Sequence, residues 1–107
     1  MIISTTHQVE GRQIIEYKDI VFGEVVAGTN FIRDWFAGIT DIIGGRSGSY
    51  ERKLTSARRE ALEELKENAR KLGANAVVGV TVEYATIDGD SKNMFMIVAS
   101  GTAVVVR

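Results

Sequence analysis

The sequence predicts an α+β fold, an antiparallel sheet packed with a long helix and a shorter one. Three observations predict it. Ile14 to Ala27 is a long run rich in Ile, Val, Tyr and Phe, the residue types that suit a pleated, half-buried strand. Between Leu54 and Leu72 apolar residues recur at helical spacing. From Asn75 onward the apolar period changes to two, and after one polar break a second β-type run extends from Met94 to Val106.

Composition bounds the problem. The 107 residues are the modal size of one domain, too few for two independent cores, and a single domain over 1–107 is expected. Hydrophobic residues make up 45% and charged residues 25%, the profile of a folded protein. Thirteen basic and fourteen acidic side chains leave a net charge of −1, so no global field gathers nucleic acid or an anionic membrane, and neither is an expected partner. There is no cysteine, which removes disulfides, thiolate nucleophiles and soft-metal thiolate sites together. The opening Met1-Ile2-Ile3-Ser4-Thr5-Thr6-His7 has neither the basic segment nor the long apolar run of a signal peptide, so a cytoplasmic location is expected.

The elements follow in order. Met1 to Thr6 makes a short strand. In the run from Ile14 to Ala27 the phase is irregular: Ile15 and Tyr17 share one face and Ile20 and Phe22 the other, so a bulge or bend is expected at Lys18-Asp19, with Gly23 a second weak point. Asn30 can cap a helix whose stripe is Ile32, Trp35, Phe36, Ile39 and Ile43, ended by Gly44-Gly45. Arg46 to Glu51 leads into the longer helix, with a stripe of Leu54, Ala57, Ala61, Leu65, Ala69 and Leu72. Lys66, Arg70 and Lys71 suit its negative end, and Gly73 supplies the left-handed residue that stops it. The following strand puts Val78, Val80, Val82 and Tyr84 on one face and Val77, Gly79, Thr81 and Glu83 on the other. Asp88-Gly89 marks a hairpin, so the last two strands pair antiparallel.

The last strand is apolar on both sides: Phe95, Ile97, Ala99, Ala103 and Val105 on one, Met94, Met96, Val98, Val104 and Val106 on the other. Two helices shield only one face of a three- or four-stranded sheet, which leaves surplus apolar surface. A second copy in closed symmetry is the simplest cover, and stacking under the N-terminal strands is the alternative.

The stretch Asp34 to Tyr84 carries a resemblance. Asp41-Ile42-Ile43-Gly44-Gly45-Arg46-Ser47-Gly48-Ser49-Tyr50-Glu51, then Ala57-Arg58 and Glu60-Ala61-Leu62, then Leu72-Gly73-Ala74-Asn75-Ala76-Val77-Val78-Gly79-Val80, closely resembles the bacterial YbjQ family. Gly23-Glu24-Val25-Val26 and Gly28-Thr29-Asn30 are similar to it as well. The resemblance implies a dodecin-like subunit and a homopentameric ring. The family carries a heavy-metal-binding label without an established biochemical role. This sequence weakens that label, because with no cysteine and one histidine a single chain cannot assemble a soft-metal site, although a ring brings symmetry copies of His7 or of carboxylates together. No cofactor and no metal residue is therefore assigned.

Candidate chemistry centres on Gly44 to Glu51. Its glycines free backbone amides to turn toward a ligand, Ser47 and Ser49 add hydroxyls, Arg46 adds a fixed charge, and the segment ends at a helix N-terminus, where anions are favoured. Arg46, Ser47, Ser49, Tyr50 and Glu51 are thus the candidate ligand-binding residues for a small anion. The competing reading is a tight inter-helix turn with a capping serine, which needs the same residue types. His7 can serve as a ligand or base, or stand as a surface residue in a polar turn. Asp88-Gly89-Asp90 falls short of a calcium loop and is explained by a turn. Trp35 and Phe36 suit a wall for a flat ligand, or the core. Arg58 and Arg59 beside Glu60 and Glu63 fit exposed or intersubunit ion pairs. No catalytic residue is assigned, since no Ser-His-Asp, Cys-His or metal-hydrolase pattern is present. Three functions follow: a pentameric ring with a small-ligand, anion-binding or scaffold role, a heavy-metal-binding protein, or an enzyme with an intersubunit site of Arg46, Tyr50 and Glu51.

Overall fold

In the computed structural model, residues 1–27, 48–88 and 93–107 are described, the side chains at 27, 48–51, 53, 87, 88, 93 and 94 excepted. The helix expected from Asn30 to Ile43, with Trp35 and Phe36, lies outside the described residues, as do Arg46, Ser47, Gly89 and Asp90.

Strands β1 (Ile2–Ile3), β2 (Ile14–Ala27), β3 (Ala76–Asp88) and β4 (Asn93–Val106) form one sheet in the order β1-β3-β4-β2, and helix α1 (Gly48–Lys71) lies on one face of it. The strands β3 and β4 pair antiparallel from Asp88↔Asn93, as the hairpin signal predicts, and β4 also pairs antiparallel with β2. The N-terminal strand corrects the expectation of a wholly antiparallel sheet: β1 runs parallel to β3, with Ile2 opposite Ala76, so the sheet is mixed. The connection from β1 to β3 contains β2 and α1, and only a long crossover of this kind makes a parallel neighbour possible.

Helix α1 buries Ala57, Ala61, Leu65 and Ala69 against Val21, Val77, Val80, Phe95, Ile97, Ala99 and Ala103. Three of its four buried stripe residues are alanines, which lets the helix backbone approach the sheet closely. At Gly23 the approach is closest: a Cβ there would run into the Ala61 carbonyl oxygen and stand 2.6 Å from the Leu65 nitrogen. Gly23 is therefore a contact point for the helix rather than a weak point in the strand. Asn68 ties the two elements together, its Nδ2 donating to the Phe22 carbonyl at 2.7 Å. The end of α1 is a Schellman turn: Ala74 N–H donates to the Ala69 carbonyl, Gly73 N–H to that of Arg70, and Gly73 has φ of +82°. Leu72 sits in this turn and is exposed, so it leaves the predicted stripe, while Leu62 packs at the edge of the core.

The strand β3 departs from strict alternation. Its register against β4 shifts between Val78 and Thr81, where Gly79 adopts φ of +62°, the signature of a bulge with one extra residue. The bulge turns Val80 and Val82 to the same side as Val77, facing α1, and leaves Val78 with Ala76 on the far side. The expected grouping of Val78 with Val80 is therefore corrected. Gly101 makes room opposite: a Cβ there would meet Val77 Cγ1 at 2.6 Å. The bend expected at Lys18-Asp19 is present, together with a second shift between Ile14 and Glu16. The shift at Lys18 places Tyr17, opposite Val104, on the same far face as Ile20, opposite Thr102, where strict alternation would put them on opposite faces.

Candidate functional site

The face of the sheet away from α1 divides into two halves. At one end Ala76, Val78, Val104 and Val106 are buried, with Ile2, Val9 and Ile14 packed against them. Here the N-terminal segment supplies the cover, as the alternative reading of the last strand allowed. Toward the other end of β2 and β4 no described residue supplies such cover. Ile20 is 62% exposed, Phe22 49% and Val26 51%, and by register they stand opposite Thr102, Ser100 and Met96. Val98 and Met96 are half-buried between these residues and β3. Among the described residues, the only charges the register places on this stretch are the carboxylates flanking Val98, Glu24 on β2 and Glu83 on β3.

A polar hollow of about 500 Å³ opens at the covered end, lined by His7, Gln8, Arg12, Gln13, Ile14 and Tyr17. Local hydrogen bonds fix its outer wall. Thr6 Oγ1 donates to the Gln8 carbonyl at 2.6 Å, which leaves the Ser4 hydroxyl to donate to Thr6 Oγ1, and Thr6 N–H donates back to Ser4 Oγ. The Thr6 carbonyl accepts from Gly79 N–H at 2.8 Å, anchoring the segment to the bulge in β3. His7 lies over that bulge, where a side chain at position 79 would meet its Nδ1 at 3.4 Å. Gly11, with φ of +80°, reverses the chain, Arg12 N–H donates to the Val9 carbonyl, and Gln13 exchanges two backbone hydrogen bonds with Arg107. The sequence singled out His7 alone here. Its companions were missed because a chain reversal at Gly11 and a hydroxyl relay from Ser4 bring them together, and neither carries a motif.

The other predicted site is placed only in part. Helix α1 begins at Gly48, so Ser49, Tyr50 and Glu51 belong to its first turn rather than to the loop before it, and their side chains lie outside the described residues. Arg58 is exposed, and its Nη1 donates to the Tyr84 hydroxyl at 3.4 Å. Glu63 pairs with Lys66 at 2.7 Å rather than with the arginines before it. The Lys66 hydrogen bond, with smaller help from the charges of Lys66, Arg70 and Arg59, holds the Glu63 carboxyl below its ordinary range. No group of three His, Cys, Asp or Glu side chains able to hold a metal occurs among the described residues. No helix among them is long and apolar enough to cross a membrane.

The family model described as "Putative heavy-metal-binding" matches residues 1–107. The chain belongs to the YbjQ family. A UPF0145 protein of Pasteurella multocida (strain Pm70) is 73% identical over 107 residues, covering all of both chains. The UPF0145 protein of Actinobacillus pleuropneumoniae serotype 5b (strain L20) is 65% identical over the same full length. Among solved structures, a protein of unknown function of the DUF74 family from Pediococcus pentosaceus ATCC 25745 superposes with a TM-score of 0.68, covering 100% of this chain and 98% of that one. At 17% identity that likeness concerns the fold alone. This YbjQ chain therefore shares with it a small α+β architecture, here a four-stranded mixed sheet with the helix Gly48–Lys71 on one face.

Proposed function

We propose that this YbjQ chain is the subunit of a closed homo-oligomer, a pentameric ring of dodecin-like subunits, and that the assembly binds or presents a small anionic ligand. The observation that carries the assembly is the apolar stretch of Ile20, Phe22 and Val26 beside half-buried Met96 and Val98. Contiguous apolar surface of this kind is costly to hydrate, and identical copies related by closed symmetry remove it from water on every subunit at once. The anion-binding part rests on the expectation for Arg46, Ser47, Ser49, Tyr50 and Glu51 around the start of α1, where free backbone N–H groups and the helix dipole favour negative charge.

The family's label supports a second reading, metal binding. For this chain it requires ligands drawn from several subunits, because the sequence holds one histidine and no cysteine. Native mass spectrometry of the purified protein separates the readings: a five-subunit species with a retained organic mass supports the first. A metal confirmed by elemental analysis and lost in His7→Gln supports the second. A monomer with nothing bound contradicts both.

A further inference from the structure

We propose that the hollow between residues 7–13 and the start of β2 is a binding site for a small organic oxyanion, a carboxylate or phosphate ester, held chiefly by Arg12. Its described walls are His7, Gln8, Arg12, Gln13, Ile14 and Tyr17 of one chain.

The lining fixes the sign of the ligand. His7, Gln8, Arg12, Gln13 and Tyr17, whose side chains can all donate hydrogen bonds, line one concavity, and among the described residues no carboxylate lines it. Among the described residues Arg12 forms no ion pair, while the nearby Glu16 carboxylate is already held by Lys18 at 2.8 Å. A guanidinium without an acid partner presents a planar fork that matches two oxygens of a carboxylate or phosphate. The amides of Gln8 and Gln13, the Tyr17 hydroxyl and the imidazole of His7 line the same hollow with further polar groups.

The volume fixes the size. About 500 Å³ exceeds what a bare inorganic anion fills and falls within the range of small-molecule sites. Ile14 and the ring of Tyr17 supply the apolar wall on which a small organic body rests. The wall is also preorganised: the Ser4, Thr6 and Gln8 relay, the bond from Gly79 to Thr6 and the paired Gln13 and Arg107 hold the segment at both ends without engaging the lining side chains. Binding then spends little on ordering the loop.

The test is isothermal titration calorimetry of the intact protein, at low ionic strength to limit screening, with phenyl phosphate and benzoate as probes. At least one probe is expected to bind with Kd on the order of 0.1–1 mM, and comparing the two names the head group. Arg12→Gln is expected to weaken binding by at least about tenfold, with Arg12→Lys intermediate and Lys71→Gln, an exposed cation in the last turn of α1, unchanged. Arg12 is exposed, so a thermal melt matching wild type checks that the variant is folded. Absence of binding by both probes, equal binding by folded Arg12→Gln, or loss in Lys71→Gln with Arg12→Gln unaffected would each overturn the proposal.

Discussion

Replacing Gly23 by alanine tests the helix-to-sheet approach that builds the core. The added Cβ would run into the Ala61 carbonyl oxygen and lie 2.6 Å from the Leu65 nitrogen and 3.0 Å from the Ala61 carbonyl carbon. These are helix backbone atoms, so no rotamer change relieves the contact. Carbon and oxygen need about 3.3 Å even in their closest favourable contacts, which forces α1 to retreat by more than about 1 Å. Retreat loosens Ala61 and Leu65, both fully buried, and stretches the 2.7 Å bond from Asn68 to the Phe22 carbonyl. Overpacking of this kind costs ~1–3 kcal/mol, and the weakened hydrogen bond adds ~1 kcal/mol, so a loss of about 3 kcal/mol is expected. For a domain of this size that corresponds to a Tm drop of roughly 12–24 °C. Circular-dichroism melts at matched protomer concentration measure it, since the Tm of any protein that self-associates depends on concentration. Gly11→Ala is the control: nothing lies within 4 Å of its Cβ position, and its positive φ alone costs ~1–2 kcal/mol. A Gly23→Ala protein as stable as wild type, or no less stable than Gly11→Ala, would refute the close approach.

Two further outcomes are expected. Asn75→Ala removes a side chain that acts as an extra rung of the sheet, accepting from Val106 N–H at 2.7 Å and donating to the Val106 carbonyl at 2.9 Å, and denaturant unfolding should show a loss of ~2 kcal/mol for the two bonds. Lys66→Ala should raise the Glu63 carboxyl toward its ordinary pKa, as followed by carbon NMR across a pH titration. The sign follows from the lowered folded-state value: any stability from this exposed pair is present above the ordinary carboxylate pKa and disappears as pH falls through the lowered one. An unchanged Glu63 titration would show that Lys66 is not the cause.

Periodicity carried most of the fold. The long apolar runs of β2 and β4 and the alanine-rich stripe of α1 announce themselves because each repeats over several turns or strand pairs. What the sequence concealed were single-residue events. The valines from 77 to 82 read as unbroken alternation, yet the left-handed Gly79 inserts one extra residue and reverses the faces downstream. Such a shift is set by tertiary partners, here the Ser4 and Thr6 carbonyls that accept from Val80 and Gly79 N–H. The parallel pairing of β1 was hidden for the same reason, being a two-residue contact between distant parts of the chain. Of the candidate sites, the residues around Arg46 were chosen for their types and lie largely outside the described structure. The hollow around Arg12 was invisible as a motif because its lining is assembled by a turn rather than by spacing.

Assembly is the claim on which the functional reading depends, and sedimentation velocity across dilution to about 1 µM tests it most directly. A single species of five subunits is expected for the wild type, with Phe22→Asp sedimenting as folded monomer because a charge on the apolar stretch opposes its burial. A wild-type protein that runs as a folded monomer throughout, or a Phe22→Asp variant that assembles as the wild type does, would contradict the account.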